Sequence, residues 1–271
     1  MEATDEALDA ATVDAYLARL GMARPLPATY QTLVALVQRH TATIPFENIE
    51  VFRRRPIVLG ARRAADKIIR RRMGGFCFEL NEALRALLVA LGYSVRRLEA
   101  RVWSESAGAF GAPFDHLTLA VALSDSEHLV DVGFGDNNRR PLRLPADETT
   151  DISGAYRLCA EDDELLVLER LGDKVQPRPL YRLSLASQPL SAFAGMCTFH
   201  QTDPTSIFMR GLVCTRATAN GRVTLTHDRL IAVSDGERRE EALATTADLD
   251  RLLEAHFGVP AIGTALPGKA L

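Results

Sequence analysis

The chain has 271 residues, of which 47% are hydrophobic and 25% charged. At roughly 150 residues per domain that suffices for about two compact units with a real core, and it excludes a mainly disordered chain. The 32 Lys and Arg against 35 Asp and Glu leave a net charge of −3, which argues against a phosphate-tracking nucleic-acid surface and against a dedicated binder of anionic membranes. The basic runs Arg53-Arg54-Arg55 and Arg70-Arg71-Arg72 sit among apolar residues and read as solvated helix faces or loops.

From the N-terminus, residues 1–91 read as mostly helical. Short helical patterns run over Val13–Leu20 and Leu33–Val37, separated by a loop with Pro25 and Pro27. Pro45 and Pro56 bracket an irregular connection around Phe46-Glu47-Asn48. Leu80, Leu84, Leu87, Leu88 and Leu91 then recur with helical spacing, predicting one apolar stripe closed by Gly92.

After Gly92 the period changes from 3.6 to 2. Leu98, Ala100 and Val102 alternate with other residues, a loop follows from Ser104 to Pro113, and Leu117, Leu119, Val121 and Leu123 alternate again. Further strands are expected at Leu129–Val132, Tyr156–Leu158, Leu165–Leu168, Tyr181–Leu185, Val223–Thr226 and Leu230–Val233, with a closing helix over Thr246–Phe257. Helices first, then strands, then a mixture suggest an α+β fold rather than alternating βαβ units. The charge-free stretch Leu183–Thr202 holds Gln188, Pro189, His200 and Gln201, so no membrane span is expected.

Cys77, Cys159, Cys197 and Cys214 show no CxxC spacing for zinc or redox chemistry. The acidic first residues lack the layout of a signal peptide, so a reducing cytoplasm with free thiols is expected. Cys197 and His200, with Asp203 behind them, permit two metal ligands but lack a second pair, so no metal site is expected.

Cys77 stands out. Gly74 and Gly75 precede it and let the backbone turn sharply, and the leucine stripe starts just behind it. The thiol is therefore expected at a helix N-terminus, where free N–H groups and the helix dipole favour a thiolate and an oxyanion. His116 opens an alternating strand and shares a face with Thr118 and Ala120, small residues that leave room for a partner. An imidazole is the usual base for activating a thiol. Asp131 lies within Leu129–Gly135, a segment apolar enough that a carboxylate needs a partner. The two strands should pair as a hairpin. One register puts Asp131 directly opposite His116; another, centred on Asp125-Ser126, puts it opposite Ala120, too far to orient the imidazole. With the first, Cys77, His116 and Asp131 form a nucleophile–base–orienter triad.

Ile44-Pro45-Phe46-Glu47-Asn48, Gly74–Asn81, His116, Val130–Gly135 and the pieces Ser206-Ile207-Phe208 and Gly221–Leu225 resemble, in order and spacing, the signature blocks of the arylamine N-acetyltransferase family. The resemblance covers roughly residues 10–235. It implies a helical bundle over residues 1–91 carrying Cys77, a β-barrel over 92–195 carrying His116 and Asp131, and an α/β lid over 196–271, around a cysteine-protease-like catalytic core. It further implies ping-pong transfer of acetyl from acetyl-CoA, the co-substrate, through a Cys77 thioester to an arylamine or arylhydrazine. Phe46, Val102, Phe134 and Phe208 would line the acceptor pocket. Neither a P-loop nor a GxGxxG fingerprint is present, so coenzyme A would need a cleft without them. The expected assembly is a monomer or homodimer, with no nucleic-acid or membrane partner.

Two positions depart from the family pattern. Met73 stands where an Arg commonly precedes the Gly-Gly pair, with Arg72 one position away, which puts the geometry around Glu47 in question. Asp115 stands where many members have Thr. Competing readings share the chemistry: an amide synthase of the same family that closes a polyketide macrolactam, a cysteine hydrolase, or a binding protein on an inactivated scaffold.

Overall fold

The computed structural model describes residues 7–136, 138–161, 165–171 and 177–263. In chain order the elements are α1 (Ala10–Arg19), α2 (Tyr30–Thr43), β1 (Phe46–Glu47), α3 (Ile49–Phe52), α4 (Ala61–Ile69), α5 (Cys77–Ala90), β2 (Ser94–Ser104), β3 (Ala109–Phe110), β4 (His116–Ala122) and β5 (Glu127–Val130). They continue with β6 (Leu142–Arg143), β7 (Asp147–Asp151), β8 (Gly154–Ala160), β9 (Leu165–Leu171), β10 (Arg178–Ser187), α6 (Ala194–Thr202), β11 (Val213–Thr218), β12 (Gly221–Thr226), β13 (Arg229–Ser234), β14 (Glu237–Ala242) and α7 (Thr246–Phe257). The fold is α+β, as the change of period predicts.

The N-terminal helices surround α5, which is buried on every side from Cys77 to Leu88. The single leucine stripe expected from the sequence is thus too narrow a description. Helices α1 and α4 pack against α5 from one side, strands β2 and β4 from the other, so no face is left for solvent. Its charged residues are buried as pairs: Glu82 meets Arg85 at 2.9 Å and Arg97 at 2.6 Å. Burying these charges unpaired would be costly, and the bidentate contacts satisfy them.

A large antiparallel sheet runs in the order β6-β5-β4-β2-β10-β9-β8-β7, and its end strands β6 and β7 come together, curling it toward a barrel. A second sheet runs β1-β11-β12-β13-β14 and carries α7. Its edge strand β14 is exposed throughout and reads Glu-Arg-Arg-Glu-Glu-Ala, a charge pattern that discourages pairing with another chain. The cores do not follow the boundaries at 91 and 195. Strand β1 and the buried Ile49 and Met73 join the second sheet's cluster, while Leu190, Phe193 and Cys197 pack with the N-terminal helices. The first segment is in this way stitched to both of the others.

His40, fully buried in α2, meets the Tyr16 hydroxyl at 2.9 Å through Nε2, while its Nδ1 has no partner among the described residues. Burial, helped by the nearby Arg19 charge, pushes its pKa down to about 3. The unfolded chain takes up a proton near pH 6.5 that the native ring refuses, so stability falls as pH drops from about 6.5 toward 3. Urea denaturation across that range should show the slope shrink in His40→Gln by about 1.4 kcal/mol per pH unit.

Candidate active site

The approach to Cys77 is dictated by close packing. A Cβ on Gly74 would lie 1.8 Å from the Pro45 carbonyl oxygen, so only glycine lets the two segments pass this closely. Beside it, the Glu47 N–H donates to the Gly75 carbonyl at 2.9 Å, docking β1 against the turn that leads to the thiol. Cys77 then opens α5, as its sequence setting predicts, with Glu79 accepting from the Phe76 N–H at 3.3 Å. The first N–H groups of a helix have no intrahelical acceptor, and Cys77 occupies the first position of α5.

His116 and Asp131 are brought together, but by neither expected register. In the β4–β5 hairpin Leu119 pairs with Val130 and Ala122 with Glu127, and the Leu123 N–H donates to the Ser126 carbonyl at 2.8 Å. Ser124 and Asp125 form the tip. Continued past the strand end, this register sets Asp131 opposite Thr118, diagonal to His116 and on the same face. Side chains of this length bridge such a diagonal. Asp131 also lies one residue beyond β5 rather than inside a strand. His116 Nε2 donates to Asp131 Oδ2 at 2.7 Å, and both side chains are buried.

The carboxylate is held from three sides. Asn81 Nδ2 donates to Asp131 Oδ1 at 2.9 Å and the Gly133 N–H to the same oxygen at 2.8 Å. Asn81 Oδ1 in turn accepts from the Val132 N–H at 2.9 Å, and its Nδ2 also reaches the Leu117 carbonyl at 2.7 Å. One amide thereby clamps both strands of the hairpin to the helix that Cys77 opens. Gly133 permits this approach, because a Cβ there would lie 2.7 Å from the Cys77 Cα.

Burial disfavours a charged imidazole at His116, but the Asp131 carboxylate, with a smaller contribution from Cys77, outweighs it and raises the pKa to about 10. Burial works against the Asp131 charge as well, and His116, Asn81 and Gly133 reverse that, leaving its pKa below the ordinary carboxylate value. With Nε2 committed to Asp131, Nδ1 is the nitrogen left for the thiol. The other three cysteines are free and set apart: burial pushes Cys197 up to about 12, and Cys214 and Cys159 are also raised.

Cys77 and His116 open on a cavity of about 620 Å³ whose wall includes Phe46, Val102, Phe134 and Phe208, along with Trp103 and Phe199. Phe134 stands edge-on to the His116 ring at 5.5 Å, and Phe46 and Phe208 are 6.0 Å apart.

The N-acetyltransferase family model matches residues 29–263. The arylamine N-acetyltransferase of Escherichia coli is 31% identical over 249 residues, covering 90% of this chain and 87% of the relative. The chain belongs to the arylamine N-acetyltransferase family. Among solved structures, the arylamine N-acetyltransferase from Salmonella typhimurium superposes with a TM-score of 0.86 at 28% identity, covering 97% of this chain and 96% of that one. The Mycobacterium marinum arylamine N-acetyltransferase in complex with CoA gives 0.83 at 32% identity, covering 91% and 92%. As a member of this family the chain is an acyltransferase.

In this arylamine N-acetyltransferase family member the cation expected at position 73 is supplied elsewhere. Met73 is buried in the second sheet's core and Arg72 is exposed. Lys67, in the last turn of α4, reaches in: its Nζ is 3.0 Å from Glu79 and 3.1 Å from Glu47, with all three side chains buried. Burial opposes the ammonium charge, and the two carboxylates outweigh it and raise the Lys67 pKa.

The sequence reading does not single out Asn81 and Tyr181, which contact Asp131 and His116. Asn81 follows Cys77 by one helical turn, and that i, i+4 spacing is the signal that would have marked it. Tyr181 packs on His116 at 5.2 Å from a strand distant in sequence, where nothing local distinguishes it from core. Among the described residues no helix is long and apolar enough to cross a membrane, and no group of three metal-ligating side chains occurs. Cys197 instead contacts the Gln201 amide at 3.2 Å.

Proposed function

We propose that this chain is an arylamine N-acetyltransferase that carries acetyl from acetyl-CoA to an arylamine or arylhydrazine by a ping-pong route. The observation that carries this reading is the buried line from Cys77 through His116 to Asp131 at the floor of an aromatic cavity. The CoA complex of the M. marinum relative supports acetyl-CoA as the donor and co-substrate.

An imidazole that keeps its proton to about pH 10 stabilises a thiolate beside it. The Cys77 sulfur attacks the thioester carbonyl, and the charge developing on oxygen faces the N–H groups at the start of α5. The bond to the coenzyme A sulfur breaks, and His116 protonates that sulfur as it leaves. Cys77 is now acetylated and His116 neutral. A neutral amine nitrogen then attacks the new thioester and passes its proton to His116. The Cys77–acyl bond breaks, releasing the amide and restoring the thiolate–imidazolium pair. Phe46, Val102, Phe134 and Phe208 hold the aromatic acceptor by its faces. The three units proposed from sequence divide the work: 1–91 supplies the nucleophile, 92–195 the base and its orienter, and 196–271 the wall over the cavity.

Incubation with acetyl-CoA and no amine should leave one acetyl group per chain, on the Cys77 peptide by mass spectrometry. Adding 4-methoxyaniline should discharge it as the acetanilide. Label on another residue, or loss of acetyl to water at a rate the amine does not change, would overturn the reading.

A further inference from the structure

A second histidine–aspartate pair lines the cavity, separate from the first. Asp115, immediately before His116 in the chain, meets His200 of α6 at 3.1 Å through Oδ1 and Nε2. His200 is buried among the rings of Phe78, Phe199 and Phe208, and its Nδ1 meets the Ser206 hydroxyl at 3.1 Å. Its Nε2 is also 3.4 Å from the Asp115 carbonyl. The imidazole is thus fixed at both nitrogens and holds the carboxylate in one orientation. Among the described residues the one hydrogen bond to Oδ2 is long, 3.4 Å from the Val102 N–H, and Gly111 leaves it room where a Cβ would lie 2.7 Å away. An ionised carboxylate offers about four lone-pair sites, so Asp115 retains capacity for a donor in the cavity.

The other charges on the cavity wall are already committed. Asp136 is bound by Arg170 at 3.0 Å and Arg222 at 3.1 Å, and Arg222 also donates to the Gly135 carbonyl. His116 is bound to Asp131. Asp115 is left with a side chain 18% exposed, an imidazole as its partner and, among the described residues, no guanidinium or ammonium within ion-pair distance.

We propose that Asp115, positioned by His200, selects the acceptor by charge. Its carboxylate favours amines that bring an additional N–H donor, such as aryl hydrazides, and disfavours those that bring a carboxylate, such as aminobenzoates. The inference rests on the acetyl-transfer reading for its kinetic form, while the binding preference stands apart from it. At a few ångströms inside a partly desolvated cavity, one negative charge discriminates against another by about tenfold or more.

The test compares 4-aminobenzoate with its neutral isostere 4-aminobenzamide in the wild type, Asp115→Asn and Asp115→Glu. Binding is followed by fluorescence of Trp103, the one tryptophan of the chain and part of the cavity wall. Turnover is followed as kcat/KM with acetyl-CoA. Asp115→Asn should raise the anion-to-neutral ratio about tenfold in both measurements, and Asp115→Glu should hold it within about twofold of wild type. If Asp115→Asn does not fold, added salt should narrow the wild-type ratio by selectively helping the anion. An unchanged ratio in a folded Asp115→Asn, or a wild-type ratio indifferent to salt, overturns the proposal. A shifted binding ratio without any acetyl transfer sinks the functional reading and leaves the charge selection standing.

Discussion

Asp131→Asn is expected to lower kcat for acetyl transfer by about three to four orders of magnitude, close to the loss in Cys77→Ala. The substituted amide keeps the size of the side chain, so Asn81 and Gly133 still have an oxygen to bind. What changes is the charge beside His116. Burial, the largest influence, then dominates with only the smaller contribution of Cys77 against it, and drives the imidazole's pKa down from about 10. The ring becomes neutral at pH 7, and an amide can also present its NH2 to Nε2, which favours the tautomer with its proton on Nδ1. That tautomer cannot accept the thiol proton. The measurement is single-turnover acetylation against pH. A wild-type-like rate in a folded Asp131→Asn would remove Asp131 from the mechanism.

The raised His116 pKa has a stability consequence with a defined sign. Its contribution is fully present below about pH 6.5, the ordinary histidine value, and fades as pH rises toward 10. The stability difference between wild type and Asp131→Asn should shrink over that interval.

Lys67→Met is expected to destabilise the fold by about 3–5 kcal/mol, a fall in Tm of about 10 °C or more. Removing the ammonium leaves Glu47 and Glu79 buried together without their shared cation. Two carboxylates in one dry site cannot both stay charged, and the proton needed to neutralise one costs free energy at pH 7. The damage reaches the active site, because Glu79 sits in the first turn of α5 and Glu47 on the strand docked against Gly75. Lys67→Gln keeps an N–H donor and should lose less. Calorimetry of the three proteins decides it: an unchanged Tm in Lys67→Met would show that the ammonium is dispensable.

Local signals carried far along this chain. Period 3.6 up to Gly92 and period 2 after it are properties of neighbouring residues, and they marked the α+β order and the terminal helix Thr246–Phe257 to the residue. Gly74-Gly75 before a leucine pattern placed Cys77 at a helix start for the same reason. His116 and Asp131 were legible as residues of one face, since strand parity survives any register shift by an even number. The register itself was not legible. It depends on where a two-residue tip forms and on Asn81, which clamps the hairpin from another element.

The surrounding contacts were hidden for a more general reason. Lys67 meets Glu47 and Glu79 because α4 runs beside them, and the departure at Met73 gave no hint of where a cation would come from. Asp115 and His200 lie far apart in sequence and meet only because α6 packs back into the first core rather than staying with the third segment. Sequence by itself determined which side chains are chemically able to form a site and which faces they share, because those follow from residue type and period. Only the tertiary structure decided which of them meet, because meeting depends on packing between elements that no local pattern encodes.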